Sequence, residues 1–147
     1  MAPQFGAYVL TFIFIATMWV NHHYMFSEVK VINTQTIWLN ILLLFFASLL
    51  PATTAWFGTD VFSRVAGVLY VLNMMFYNIV TALLRRQIVQ LNHITTMGNL
   101  LRSEVGSFIV NTMTLVVTFF YPPFLFLGLL INVSIWFAPR PSKPNNR

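Results

Sequence analysis

The chain has 147 residues, 58% of them hydrophobic and 7% charged, with a formal net charge of +5 and no cysteine. An ordinary soluble domain is about a quarter charged, so this composition excludes a soluble domain of useful size and points to lipid as the solvent. The missing cysteines exclude disulfides, thiolate metal sites and thiol nucleophiles. The basic residues are sparse and sit in short loops and the tail without aromatic interleaving, so their charge is read as topological, with no nucleic-acid partner.

A bilayer core about 30 Å thick needs roughly 20 predominantly apolar residues per helix. Five such stretches are predicted here, giving an all-α, polytopic transmembrane helix bundle over residues 1–138 with a basic, proline-rich tail over 139–147. The first helix covers about 4–25. No Lys or Arg precedes it and no small-x-small cleavage site follows, so it is expected to be retained as a spanning helix. The second covers about 36–57 and contains Pro51, with Ser48 placed to help satisfy the carbonyl that the proline frees. The third covers about 63–84. A polar connection over 85–104 follows, in which the spacing of Ile88, Leu91, Ile94 and Met97 suits a short interfacial helix. The fourth helix covers 105–121, with Glu104 read as a cap at its positive end. The fifth, short by spanning standards, covers 124–137.

Five helices assign alternate connections to opposite sides. Lys30, Arg85, Arg86, Arg102, Arg140, Lys143 and Arg147 fall on one side and Arg64 on the other. The positive-inside rule then places the N-terminus outside and the C-terminus in the cytoplasm.

Polar residues punctuate these helices with helical spacing. Tyr70, Asn73, Tyr77 and Thr81 share one face of the third, and Ser107, Asn111, Thr114 and Thr118 share one face of the fourth. Ser, Thr and Asn join helices in a bilayer at roughly 0.6 kcal/mol per bond, which accounts for both stripes. A water-lined pathway would use the same residue types. The stretch WVNHHYMF, Trp19 to Phe26, ends an apolar run from Phe5 to Val20. Adjacent helical positions diverge by about 100°, so His22 and His23 are poor partners for one metal. One of them is expected to face the bundle and hydrogen-bond to a neighbouring helix or subunit, the other to sit at the headgroup level.

WVNHHYMF followed by IWLNILLLFFASLLPATTAWFG, Ile37 to Gly58, resembles the second and third helices of the bacterial branch of the transmembrane protein 175 family. The segment VLYVLNMMFY, Val68 to Tyr77, resembles its fourth helix more loosely, and the remaining helices match only in hydropathy and length. The resemblance implies a tetrameric, potassium-selective, voltage-independent cation channel with potassium as the permeant ion and no cofactor. It implies six helices per subunit with both ends cytoplasmic, and a pore lined by a first helix carrying Phe-Ser-x-x-x-Asp. It also implies that His22 or His23, with Trp19 beside it, acts as a bracing group; Asn40, near the start of the second helix, is a further candidate for a hydrogen bond between helices. In this sequence Phe26-Ser27 is followed by Val31 and Phe62-Ser63 by Gly67, so neither is the signature, and the expectation is a chain that lacks the family's first helix.

The leading expectation is therefore a potassium-channel subunit, homo-oligomeric in the lipid bilayer of a bacterial inner membrane, that conducts passively in complete form. The alternative is an accessory or structural membrane protein, or a non-conducting truncated homologue. An enzyme is not expected: the acids Glu28, Asp60 and Glu104 fall in or beside connections, leaving no intramembrane carboxylate for proton transfer.

Overall fold

The computed structural model of the chain describes residues 2–94 and 98–137. They form five α-helices: α1 (Ala2–Phe26), α2 (Thr34–Thr59), α3 (Arg64–Asn92), α4 (Gly98–Phe120) and α5 (Leu125–Phe137), with a 3-10 turn at Pro122–Phe124 before α5. Each helix packs against the next in the chain, and α5 closes the ring on α1. The first four are long and apolar enough to cross a membrane, and the stretch Pro122–Phe137 is a shorter apolar helix. The C-terminal ends of α1, α3 and α5 and the N-terminal ends of α2 and α4 share one end of the bundle. This is called the basic end below, because Lys30, Arg85 and Arg86 lie toward it.

Local chemistry sets the boundaries. Asn33 caps α2: its Oδ1 accepts from Thr36 N at 2.9 Å and from Thr36 Oγ1 at 2.8 Å, which starts the helix a little before the expected residue 36. Ser63 caps α3 through Ala66 N at 3.4 Å. α3 ends at His93, whose φ of 52° puts it in the left-handed region, a common terminus that Gly or Asn more often supplies. The Asn92 side chain clamps the α1–α2 loop there, accepting from Lys30 N and Val31 N at 2.8 Å each and donating to Val31 O at 3.1 Å.

The expected connection over 85–104 is largely helix. α3 continues to Asn92 and α4 begins at Gly98, so Ile88 and Leu91 belong to the last turns of α3 and form no separate interfacial helix. Ile88 is buried and packs with Met25 and Leu84. Met97 and the tail 139–147, including Arg140, Lys143 and Arg147, lie outside the described residues. Pro51 is carried inside α2, and Ser48 donates to Phe45 O at 2.7 Å, not to the carbonyl that the proline leaves without a donor.

The surface is inside-out relative to a soluble bundle, as lipid requires. On α4, Glu104, Ser107, Asn111 and Thr118 are buried, while Val105, Phe108, Ile109, Met113, Val116 and Val117 are exposed. Half of the apolar window of α3 is buried against 17% of that of α2, so α3 is the central helix. Its Tyr70, Val71, Met74, Tyr77 and Val80 form the core with Phe14 and Met18 of α1, Leu43, Leu50 and Phe57 of α2, and Leu125 and Leu129 of α5. Gly128 lets α5 lie directly on α4, since a Cβ there would overlap the Thr114 side chain.

Candidate functional site: polar ties between membrane helices

Three sets of polar side chains join the helices. The first ties α1, α2 and α3. Thr11 Oγ1 lies 2.8 Å from Thr54 Oγ1 and 3.2 Å from the Tyr70 hydroxyl, and all three residues are buried. A hydroxyl both donates and accepts, so the cluster satisfies itself without water. Asn73, one turn on from Tyr70, donates from Nδ2 to Phe46 O of α2 at 3.1 Å.

The second ties α3, α4 and α5. Asn78 Nδ2 donates to Ser107 Oγ at 3.2 Å, Ser107 Oγ donates to Asn132 Oδ1 at 2.7 Å, and Asn132 Nδ2 donates to Asn111 Oδ1 at 2.6 Å. Trp136 Nε1 also donates to Ser107 Oγ at 3.1 Å. Nearer the basic end, Arg85 Nε sits 2.8 Å from Glu104 Oε1, with both side chains almost fully buried. The Arg85 guanidinium lies 5.6 Å from the centre of the Trp136 ring, within cation-π range.

The third ties α1 and α2. His22 Nε2 lies 2.7 Å from Asn40 Oδ1; since an amide oxygen only accepts, Nε2 carries the proton in this arrangement. The His22 ring also meets Phe26, with centroids 4.7 Å apart. His23 is exposed and stacks on Trp19 at 5.5 Å, with Trp19 itself 66% exposed. Of the two histidines, His22 is thus the one facing a neighbouring helix, and Trp19 pairs with the other.

The expected stripes meet different partners. On α3, Tyr70 and Asn73 reach α1 and α2, while Thr81 Oγ1 only donates back to Tyr77 O at 2.8 Å. Tyr77 is buried in the core. On α4, Ser107 and Asn111 join the amide chain, Thr114 donates back to Val110 O at 2.8 Å, and buried Thr118 faces Gly67 of α3. The α3 residues that meet α4 through polar contacts are Asn78 and Arg85, and neither belongs to the expected stripe. Thr11, Thr54, Asn78, Arg85, Asn132 and Trp136 were missed as functional candidates. Their signal was available in part, since Asn78 and Asn132 are strongly polar residues at membrane depth.

Glu104 requires a correction. It stands two turns inside α4, not before it, and its carboxylate faces Arg85 from within the bundle. A carboxylate therefore does lie among the packed helices, but its arginine partner accounts for its charge.

A small pocket lies between these ties. Phe14, Met18, Met25 and Leu43 form its apolar wall; His22, Tyr77, Arg85 and Trp136 stand on the polar side with Thr17, Asn21, Asn78 and Thr81. Among the described residues no group of three or more His, Cys, Asp or Glu side chains is placed to hold a metal ion.

Residues 1–51 match the family described as endosomal/lysosomal potassium channel TMEM175, a match covering α1, the clamped loop and much of α2. Over 142 residues the chain is 31% identical to a potassium channel of Chryseobacterium sp. (strain P1-3), covering 93% of this chain and 73% of that one. The protein belongs to the TMEM175 potassium-channel family. A second relative, a potassium channel of Streptomyces collinus (strain DSM 40733 / Tue 365), is 38% identical over 77 residues, covering 50% of this chain and 37% of its own length. No solved structure matches the chain. Membership makes this a multi-pass membrane protein of a channel family, which is not an enzyme class, and puts the His22–Asn40 contact inside the segment that the family match covers.

Proposed function

We propose that the protein takes part in passive potassium permeation as a homo-oligomer, tetrameric by its resemblance, with α1 to α5 forming the body that holds a pore-lining helix. The observation that carries this reading is the match along nearly the whole chain to a relative named a potassium channel. The inverted surface of α4 and the polar side chains turned inward onto one another suit a subunit built to stand in lipid. His22, held by Asn40, serves as the bracing group for the lining helix, with Trp19 and His23 stacked at its flank. The excess of Lys and Arg on alternate connections supports an external N-terminus and a cytoplasmic C-terminus, in a bacterial inner membrane.

The lining is assigned to a segment with the Phe-Ser-x-x-x-Asp signature, which does not occur within these 147 residues. Potassium flux into proteoliposomes tests this, using the 147-residue chain alone and the chain fused behind a family first helix, each against sodium. The expected result is potassium-selective flux from the fused form alone. Selective flux from the unfused chain would move the lining onto the stripes of α3 and α4. Silence from both would leave an accessory protein.

A further inference from the structure

The chain carries no charged residue between Glu104 and Arg140, so the turn that joins α4 to α5 differs from the other connections. The α1–α2 loop holds Glu28 and Lys30, and the α2–α3 loop holds Asp60 beside Arg64. In their place the α4–α5 turn carries rings. Phe119, Phe120, Tyr121 and Phe124 are all exposed, Phe120 to 74%. Tyr121 meets Phe124 and, from the α2–α3 loop, Phe62 edge-on, with centroids 5.5 and 6.2 Å apart.

This turn needs no water for its backbone donors. Tyr121 N donates to Val117 O at 2.8 Å and Phe124 N to Tyr121 O at 3.2 Å. Pro122 and Pro123 have no N–H to satisfy, and Leu125 N donates to the carbonyls of both prolines. Every backbone N–H from Tyr121 to Leu125 is thus used, which is the condition that hydrocarbon imposes on a segment lying within it.

Depth points the same way. Arg64 and Arg86, both exposed, are separated on α3 by about 33 Å of helix, close to the ~30 Å of a bilayer core, and so mark its two faces. Gly67 stands one turn inside Arg64, and a Cβ there would lie 3.7 Å from Pro122 Cβ. The α4–α5 turn therefore starts about 5 Å inward of the Arg64 backbone. From the opposite side, Trp136 is held against Arg85 at the basic boundary, and the 13 residues of α5 rise only about 20 Å, too little to reach the far face.

We propose that the α4–α5 turn is an aromatic anchor immersed in the bilayer, its rings covered by the glycerol and upper acyl region of the lipids, while the α2–α3 loop beside it surfaces in water. The partner is lipid and not a second protein: aromatic rings without a charge at their rim suit the interfacial layer, whereas a protein docking face carries a polar rim.

The chain has no cysteine, so single spin labels can be placed without background. Phe120→Cys and Phe124→Cys report on the turn, Asp60→Cys on the α2–α3 loop, and Met113→Cys on the lipid-facing side of α4. All four side chains are exposed, so the core is untouched, and elution volume confirms that each variant is folded. With the full chain in phosphatidylcholine vesicles, electron paramagnetic resonance reads collisions with oxygen, which concentrates in lipid, and with a water-soluble nickel chelate. Both turn labels are expected to follow Met113, meeting the chelate about tenfold less often than the Asp60 label, because a polar chelate does not enter the hydrocarbon core. Chelate access at the turn equal to that at Asp60 would overturn the proposal by putting the turn in water. Low access to both collision partners would overturn it in favour of a protein cover, a second copy of the chain included. The comparison is between neighbouring segments at one face of the membrane, and its outcome is independent of potassium flux.

Discussion

The far half of the bundle and its basic half join helices with different chemistry, and they should tolerate damage differently. In the far half, α1, α2 and α3 meet at three hydroxyls, Thr11, Thr54 and Tyr70. Toward the basic end, α3, α4 and α5 meet through directional amides, an indole and an ion pair. Hydroxyls exchange roles, so the loss of Thr54 or of the Tyr70 hydroxyl leaves Thr11 bonded to the one that remains. An amide has fixed donor and acceptor ends, and a charge needs its counterpart, so loss on that side strands a partner where no water can replace it.

Replacing Glu104 with alanine is the harshest way to sharpen that contrast. It leaves the Arg85 cation buried without its carboxylate and is expected to destabilise the protein by about 3–5 kcal/mol, read as thermal unfolding in micelles. The double variant Arg85→Met, Glu104→Leu should regain most of that loss, because a well-packed apolar pair of similar volume is often no worse than a buried ion pair. If Glu104→Ala costs less than about 1 kcal/mol, the pair behaves as a solvated one and the contrast fails.

Asn132→Leu is next. It removes the acceptor of Ser107 and the donor to Asn111 together, with an expected cost of about 1–3 kcal/mol. Proteolysis of the α4–α5 turn should accelerate in parallel, since α5 is held by this side chain and by the Gly128 crossing. The mildest is Tyr70→Phe in the hydroxyl cluster. The Thr11 to Thr54 bond survives it, so the loss should stay near 0.6 kcal/mol, the average for a polar contact between membrane helices. A Tyr70→Phe penalty as large as that of Asn132→Leu would break the comparison, showing that the hydroxyls are no more forgiving than the amides.

Much of the fold and little of the pairing was legible in the residues. The helices were legible because stretches such as Ile37 to Gly58 are long and apolar enough to cross a bilayer. Their inner limits were not. The segment Arg85 to Asn92 reads as polar, yet Arg85 is buried by its match with Glu104 and Ile88 by Met25 and Leu84, partners that a linear window does not contain. The histidine pair was legible as one inward and one outward group. That His22 is the inward one follows from the rotation of α1 against α2, which brings its ring to Asn40. The stripe on α3 was legible as a face, but it serves α1 and α2, while Asn78 on another face serves α4.

By itself the sequence determined that this is a helical membrane protein whose polar residues must be satisfied within the bundle, because hydropathy over a helix length and the cost of an unpaired group in lipid act without reference to any partner. It also carried the channel family, in the residues from Trp19 to Gly58. Only the tertiary structure decided which polar groups meet: the buried Arg85–Glu104 pair, the chain from Asn78 to Asn111, and the His22–Asn40 contact. Those contacts depend on how five helices are rotated and staggered against one another. That is set by close packing at points such as Gly128 on Thr114, and no periodicity within a single helix encodes it.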